Sequence, residues 1–289
     1  MEEKTFIQNS ISSASIQNRQ KHFHSSKYNS ACYSEFSQHV SIKSDNIYLE
    51  GTVTNPPNSK AIIIFAHGCG SSRMSPRNLL ISKIFHSIGF STLLFDILTP
   101  QEERLDGITG EFKYNIDLIS NRIIDATQWL NTMPELKDLP IGYFGSSTGA
   151  CGALLADTLF KNNKIFSIVS RSGRLSLLDK ETIDNIKTPT LMICGSEDRE
   201  IVNINRDALS RMSHCEHKQL IVIQNASHLF SEPGCLEQVA EISKCFYLSS
   251  LNKFLHQRDQ LQQHHINHQQ QVSSNQQQQY HNNICPVSE

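Results

Sequence analysis

Seven short apolar runs recur through the middle of the chain, at 47–53, 61–66 (Ala-Ile-Ile-Ile-Phe-Ala), 91–95, 140–144, 165–170, 190–194 and 219–223. Their hydrophobicity is continuous rather than alternating, the pattern of strands buried on both faces in a parallel sheet. Parallel strands need long crossovers, and the intervening segments carry helical signals. Ser75-Pro76 offers an N-cap and a first-turn proline before 77–88. Ile116, Ile119, Ile123, Ala126 and Leu130 repeat at helical spacing along 115–132. Two more helices are expected at 203–213 and 235–255. Such alternation predicts an α/β protein, a doubly wound, mostly parallel sheet with helices on both faces.

Only 38% of the 289 residues are hydrophobic, and the deficit lies at the ends. Residues 1–37 are rich in Ser, Gln and Asn. Residues 256–289 run to Gln, His and Asn, with four consecutive glutamines from Gln276 to Gln279. Neither end carries enough apolar area to offset ordering entropy, so both are expected to be disordered, leaving 38–255 as the folded domain. His256, His264, His265 and His268 read as part of a solvated tail rather than as a metal site. A net charge of −2 gives no electrostatic case for nucleic acid or a membrane surface. No apolar stretch reaches the length of a membrane span. Residues 4–34 are Ser-rich, contain Lys4, Arg19, Lys21 and Lys27 and no acid, features of a mitochondrial presequence, against which Glu2 and Glu3 count. The eight cysteines are scattered, several inside apolar runs as Cys194 is, which reads as reduced thiols and a cytoplasmic protein.

Three loops predicted at the carboxyl ends of strands hold the chemistry. Ser147 is the centre of Gly145-Ser146-Ser147-Thr148-Gly149, behind an apolar strand and ahead of a small-residue helix start. In that context G-x-S-x-G denotes a nucleophile elbow, a sharp turn that tolerates only glycine two residues either side of the serine. Asp198 follows 190–194 and His228 follows 219–223. A serine hydroxyl needs a base; His228 is that base, and Asp198 fixes its tautomer and stabilises the imidazolium. Glu197 is the competitor for the acid role. The oxyanion hole is expected from the Thr148 N–H and, after the strand at 61–66, the Cys69 N–H. Cys69 and Cys151 flank the site, with packing the favoured role for both.

These blocks together resemble the dienelactone hydrolase-like branch of the α/β-hydrolase superfamily, in particular a group with an H-G-x-G-S-S-R-x-S-P-R-N block (His67 to Asn78), a G-x-S-T-G-A block (Gly145 to Ala150) and a final S-H-L-F block (Ser227 to Phe230). The resemblance covers about 45 to 255 and implies an α/β-hydrolase fold with a Ser-Asp-His triad. The best-known members use a cysteine nucleophile, whereas this chain has Ser147, a departure that leaves acyl transfer intact and the dienelactone substrate open. Arg73, Arg77, Arg171 and Arg174 fall in the same rim loops, with Arg199 after Asp198. Two or three of them are expected to converge on an anionic substrate group, a carboxylate or phosphate, or else they pair with Asp96, Glu103, Asp179, Glu197 or Glu200, or simply face solvent. The polar segment 96–111 is expected at the pocket rim, and the short span between 170 and 190 allows only a small lid. The chemistry needs no metal or organic cofactor. The expected activity is hydrolysis of a small ester, lactone or thioester, a small-molecule acyl substrate, through an acyl-Ser147 intermediate; the rivals are a catalytically silent binding protein on the same fold and an acyltransferase or peptidase using the same triad.

Overall fold

The computed structural model describes residues 36–160 and 163–284. An eight-stranded sheet runs in the order β1-β2-β4-β3-β5-β6-β7-β8. Its strands are β1 (Phe36–Ser44), β2 (Ile47–Asn55), β3 (Ala61–Ala66), β4 (Phe90–Phe95), β5 (Ile141–Ser146), β6 (Ile165–Arg171), β7 (Thr190–Gly195) and β8 (Lys218–Ile223). The β3 to β8 strands pair in parallel, as their continuous burial predicts, whereas β1 and β2 form an antiparallel hairpin and β2 joins β4 antiparallel. The parallel expectation for 47–53 is therefore corrected. In β2 only every second residue from Leu49 to Asn55 is buried, because one face of the hairpin meets solvent. The edge strand β1 carried no clear apolar signal, since Ile42 and Ser44 are its only buried positions.

The helices are α1 (Pro76–Ser87), α2 (Pro100–Thr109), α3 (Ile116–Trp129), α4 (Thr148–Leu159), α5 (Lys180–Asp184), α6 (Arg199–Arg211) and α7 (Cys235–Ile284). One core gathers Ile62, Ile64, Ile119, Ile123, Tyr143 and Leu154 between the sheet and the α3–α4 side. The other joins Ile63, Phe65, Phe85, Phe144, Phe166 and Tyr247 between the sheet, α1 and α7. Tyr247 lies edge-on to Phe85 and donates its hydroxyl proton to the Tyr143 carbonyl at 2.6 Å, which fixes α7 against the central strand.

Two segments differ from the sequence expectation. Residues 100–109, for which the sequence suggested a place at the rim but no helix, form α2 because Thr99 and Glu102 make a capping box, Pro100 occupies the first turn, and Gly110 ends the helix at φ 68°. The tail expected to be disordered from 256 onward continues as helix to Ile284. Glutamine is a sound helix former, and no Pro or Gly interrupts 235–284. Residues 1–35 of the expected disordered N-terminal segment lie outside the described residues; Phe36 and Ser37 open β1. Among the described residues, no helix is long and apolar enough to cross a membrane.

The chain direction across the sheet reverses between β3 and β5: β4 is added on one side, and β6 to β8 on the other. Loops leaving the carboxyl ends of β3 and β5 must therefore diverge, and the crevice between them is where an open α/β sheet binds its ligand. The pairing of Ala66 with Gly145 sets the two exits level.

Candidate active site

Ser147 sits between β5 and α4 at φ 52° and ψ −115°, a conformation that a non-glycine residue adopts only under strain, at a cost of about 1–3 kcal/mol. Its backbone is held from several sides. The Ser147 N–H donates to the Arg171 carbonyl at 3.0 Å, and the Ser147 carbonyl accepts from Ala150 at 3.2 Å and Arg174 at 3.3 Å. The flanking glycines are sterically required. A Cβ on Gly145 would collide with the backbone of Ala150, and one on Gly149 with the carbonyl oxygens of Ala66 and His67. Gly68 also presses on the elbow: its Cβ position lies 2.9 Å from the Ser146 oxygen and 3.0 Å from the Ser147 Cβ.

Asp198 stands at the N-cap position of α6 after β7, but its side chain makes no capping bond; instead its Oδ2 meets His228 Nδ1 at 2.5 Å. Glu197 points elsewhere; it is exposed and accepts from the Ser196 hydroxyl. With Nδ1 bound to the carboxylate, Nε2 is the nitrogen left to take a proton. Two contacts join the histidine loop to the rest. Ser172, at φ 47°, donates its hydroxyl to the His228 carbonyl at 3.0 Å. Gly195 lies so close to Ala226 and Ser227 that a Cβ there would meet their carbonyls. Residues 171–174 thus bond Ser147 on one side and the His228 loop on the other.

Thr148, the first residue of α4, is buried, and its backbone N–H stands at the helix N-terminus, where the dipole favours negative charge. The Cys69 N–H donates to the Thr148 hydroxyl at 3.1 Å, which brings both expected oxyanion donors to one spot. A developing oxyanion would have to take the Cys69 N–H from that hydroxyl. Burial pushes the Cys69 thiol up, and pushes the Cys151 thiol up to about 12. Both stay protonated at neutral pH, and Cys151 Sγ donates to the Arg174 carbonyl at 3.1 Å, a packing role.

His67 has a part that the sequence did not disclose. It is buried, its Nδ1–H donates to the Gly68 carbonyl at 3.0 Å, and its Nε2 accepts the Ile97 N–H at 2.9 Å. Burial lowers its pKa against the opposing pull of the Gly68 carbonyl and the Asp96 charge. The neutral ring ties the loop after β3 to the exit of β4. Arg122 grips the same residue from α3, donating to the Ile97 carbonyl at 2.6 Å and pairing with both oxygens of Glu102 on α2. Burial pushes Glu102 up, but the hydrogen bonds from Arg122 and Thr99 outweigh it and hold the carboxyl low. The segment 96–111 is therefore a fixed wall. It faces a cleft of about 630 Å³ lined by Gly68, Cys69, Thr148, Ser75 and Arg77 on one side and by Asp106 and Phe112 on the other.

The four rim arginines separate. Arg73 is taken by Asp96, through its backbone N–H at 2.6 Å and its guanidinium. Arg174 is exposed, as is Arg199. Arg77 lines the cleft, and Arg171 is buried beneath the elbow with Nε and Nη2 on the Ser146 hydroxyl at 3.2 and 3.0 Å. Among the described residues, no group of three or more His, Cys, Asp or Glu side chains is arranged to hold a metal.

No protein-family model matches the chain. A solved structure of a dienelactone hydrolase from Anabaena variabilis is similar to it, with 36% identity, a TM-score of 0.70, and coverage of 74% of this chain and 98% of that one. The chain belongs to the dienelactone hydrolase-like group of α/β-hydrolases. Est1E from Butyrivibrio proteoclasticus shares the fold, at 15% identity and a TM-score of 0.62 over 74% of this chain and 99% of its own. Two curated Mycobacterium tuberculosis proteins, from strains CDC 1551 and H37Rv, carry the provisional name phosphoribosyl transferase and are 39% identical over 215 residues, 74% of this chain. This chain spans about half the length of those two relatives, 46% of each, so the name describes a larger protein.

Proposed function

We propose that this dienelactone hydrolase-like protein is a serine hydrolase that cleaves a small ester, lactone or thioester through an acyl-Ser147 intermediate. The observation that carries the reading is the strained Ser147 elbow in the same knit loop cluster as the 2.5 Å Asp198–His228 pair. His228 Nε2 takes the Ser147 Oγ proton as Oγ attacks the acyl carbon. The oxyanion is met by the Thr148 and Cys69 N–H groups. As the carbonyl re-forms, the bond to the leaving group breaks and His228 returns the proton to it. Water then attacks the acyl-serine by the same route in reverse, releasing the acid. Asp198 stays ionised throughout and stabilises the imidazolium. The small-molecule acyl substrate would occupy the cleft between the loop after β3 and α2. The anionic preference expected of the rim arginines narrows to Arg77 and Arg171.

The test is intact-mass analysis after exposure to a fluorophosphonate probe, for the wild type, Ser147→Ala and His228→Ala. One adduct on the wild type, absent from both variants, is the expected result. A folded wild type that takes no adduct would refute the activated serine.

A further inference from the structure

Arg171 is 6% exposed, yet among the described residues its guanidinium hydrogen-bonds only to the neutral Ser146 hydroxyl, and its Nη1 has no partner. A buried guanidinium without a carboxylate is costly, since burial disfavours the charge. Here it is pushed down to about 10, by burial first and by the neighbouring Arg77 second. The ion pairs of the described arginines take Arg73, Arg122 and Arg211, and none takes Arg77 or Arg171. Arg77 also has a buried Nε without a partner. Two cations thus lie within electrostatic reach of each other, and among the described residues neither is in an ion pair.

The surroundings favour negative charge as well. Arg77 is the second residue of α1, a helix of 12 residues with no acid in its first turn. Ser75, the residue at the N-cap, is 6% exposed and lines the cleft, but its hydroxyl makes no capping bond and has no other partner. The same position would ordinarily satisfy a helix N–H. A helix N-terminus, an unused buried hydroxyl and two unpaired guanidiniums are the elements of an oxyanion-binding site.

We propose that Ser75, Arg77, Arg171 and the N-terminus of α1 form a subsite for a phosphate group carried by the acyl substrate. Two guanidiniums outside every ion pair of the described residues match a group with about two negative charges, as a phosphate monoester has near neutral pH, better than a single carboxylate. The Arg171 carbonyl accepts the Ser147 N–H, and the cleft that Arg77 lines reaches Thr148, so the phosphate would anchor the end of the substrate remote from the scissile bond. This rests on the hydrolase reading for the substrate's role, but not for binding.

The experiment titrates inorganic phosphate into the full chain by calorimetry, with acetate and succinate in parallel, and then measures phosphate inhibition of 4-nitrophenyl acetate hydrolysis. Phosphate is expected to bind with Kd of about 1 mM or below, and tighter than either carboxylate. Arg77→Gln should weaken it at least about tenfold, the scale of a lost hydrogen bond to a charged group. Arg174→Gln should leave it unchanged. Arg77 is half-buried, so this variant is expected to fold, which a circular dichroism spectrum and melt verify. Competitive inhibition with an inhibition constant equal to Kd would place the phosphate in the acyl cleft. Absence of binding up to about 10 mM, tighter binding of succinate, or equal affinity in folded Arg77→Gln would overturn the site. Arg77-dependent binding without inhibition of an active enzyme would overturn the substrate role. Failure to hydrolyse the ester, with Arg77-dependent phosphate binding intact, would sink the hydrolase reading and leave the site standing.

Discussion

Replacing His67 by leucine tests whether a buried imidazole holds the loop that carries Cys69. His67 gives one hydrogen bond to the Gly68 carbonyl and receives one from the Ile97 N–H, both inside the protein. Leucine removes both and leaves the Ile97 N–H without its acceptor, at about 1–3 kcal/mol. Lost packing around the ring brings the sum to about 3 kcal/mol, a fall in Tm of about 6–12 °C for a domain of this size. The pH dependence separates this from a simple packing defect. The folded pKa is lowered from 6.5, so between the two values the unfolded chain binds a proton that the folded chain does not. The stability due to His67 is therefore full above 6.5 and lost as pH falls through the folded value. Protonation also turns Nε2 from acceptor into donor, facing the Ile97 N–H. Urea denaturation of wild type and His67→Leu should show the largest gap near about pH 8 and a narrowing gap below 6.5. A gap that stays constant down to about pH 5 would refute the hydrogen-bonding role and leave only volume.

Gly149→Ala should abolish folding or cost more than about 3 kcal/mol by denaturant titration, because the new methyl meets two backbone carbonyls at the exit of β3. Gly107→Ala should instead raise stability by about 0.5–1 kcal/mol, since open space surrounds that position within α2, and differential scanning calorimetry reads the sign. Asp198→Asn should lower kcat by about 10³–10⁴ on 4-nitrophenyl acetate, while Glu197→Gln stays within about twofold; similar losses in both would return the acid role to open question. Asp157, half-buried and raised to about 6 by burial against a hydrogen bond from Thr188, is most compatible with the fold when protonated. Its penalty grows as pH rises from 3.8 through about 6, so Asp157→Asn should gain up to about 3 kcal/mol at neutral pH, about 1–2 after solvent screening, and nothing below 3.8; a pH-independent gain by urea denaturation would refute the assignment.

The parallel strands and the three loops bearing Ser147, Asp198 and His228 were legible because each depends on local pattern. A strand buried on both faces must be continuously apolar, and an elbow must have glycine where a Cβ meets backbone. The β1 strand was illegible because an edge strand of a hairpin needs few buried residues, and Phe36–Ser44 buries only Ile42 and Ser44. Helix α2 is legible in principle, because Thr99-Pro-Gln-Glu102 is a capping box with a first-turn proline, but the polar composition of 100–109 hides the helical period. The role of His67 was beyond reach of the sequence, since its partner Ile97 is 30 residues away and meets it only once β4 lies beside β3.

The arginines take the same distinction to its functional end. Arg73 and Arg77 are four residues apart on one motif, and nothing local distinguishes them. The sheet does. The exit of β4 delivers Asp96 to Arg73, which neutralises it, while the first turn of α1 brings Arg77 within electrostatic reach of Arg171 at the end of β6, and among the described residues neither is in an ion pair. Each strand exit brings either a partner or none, so the order β4-β3-β5-β6 decides which cation is structural and which remains unpaired. Beside Ser147, whose backbone is already strained, a buried cation without an ion pair is a second departure from what folding alone would favour. Both departures meet at the elbow: the Arg171 carbonyl accepts the Ser147 N–H, and its guanidinium donates to the hydroxyl of the neighbouring Ser146. Strain and unpaired charge meet on the same backbone, as expected where a substrate supplies the missing contacts.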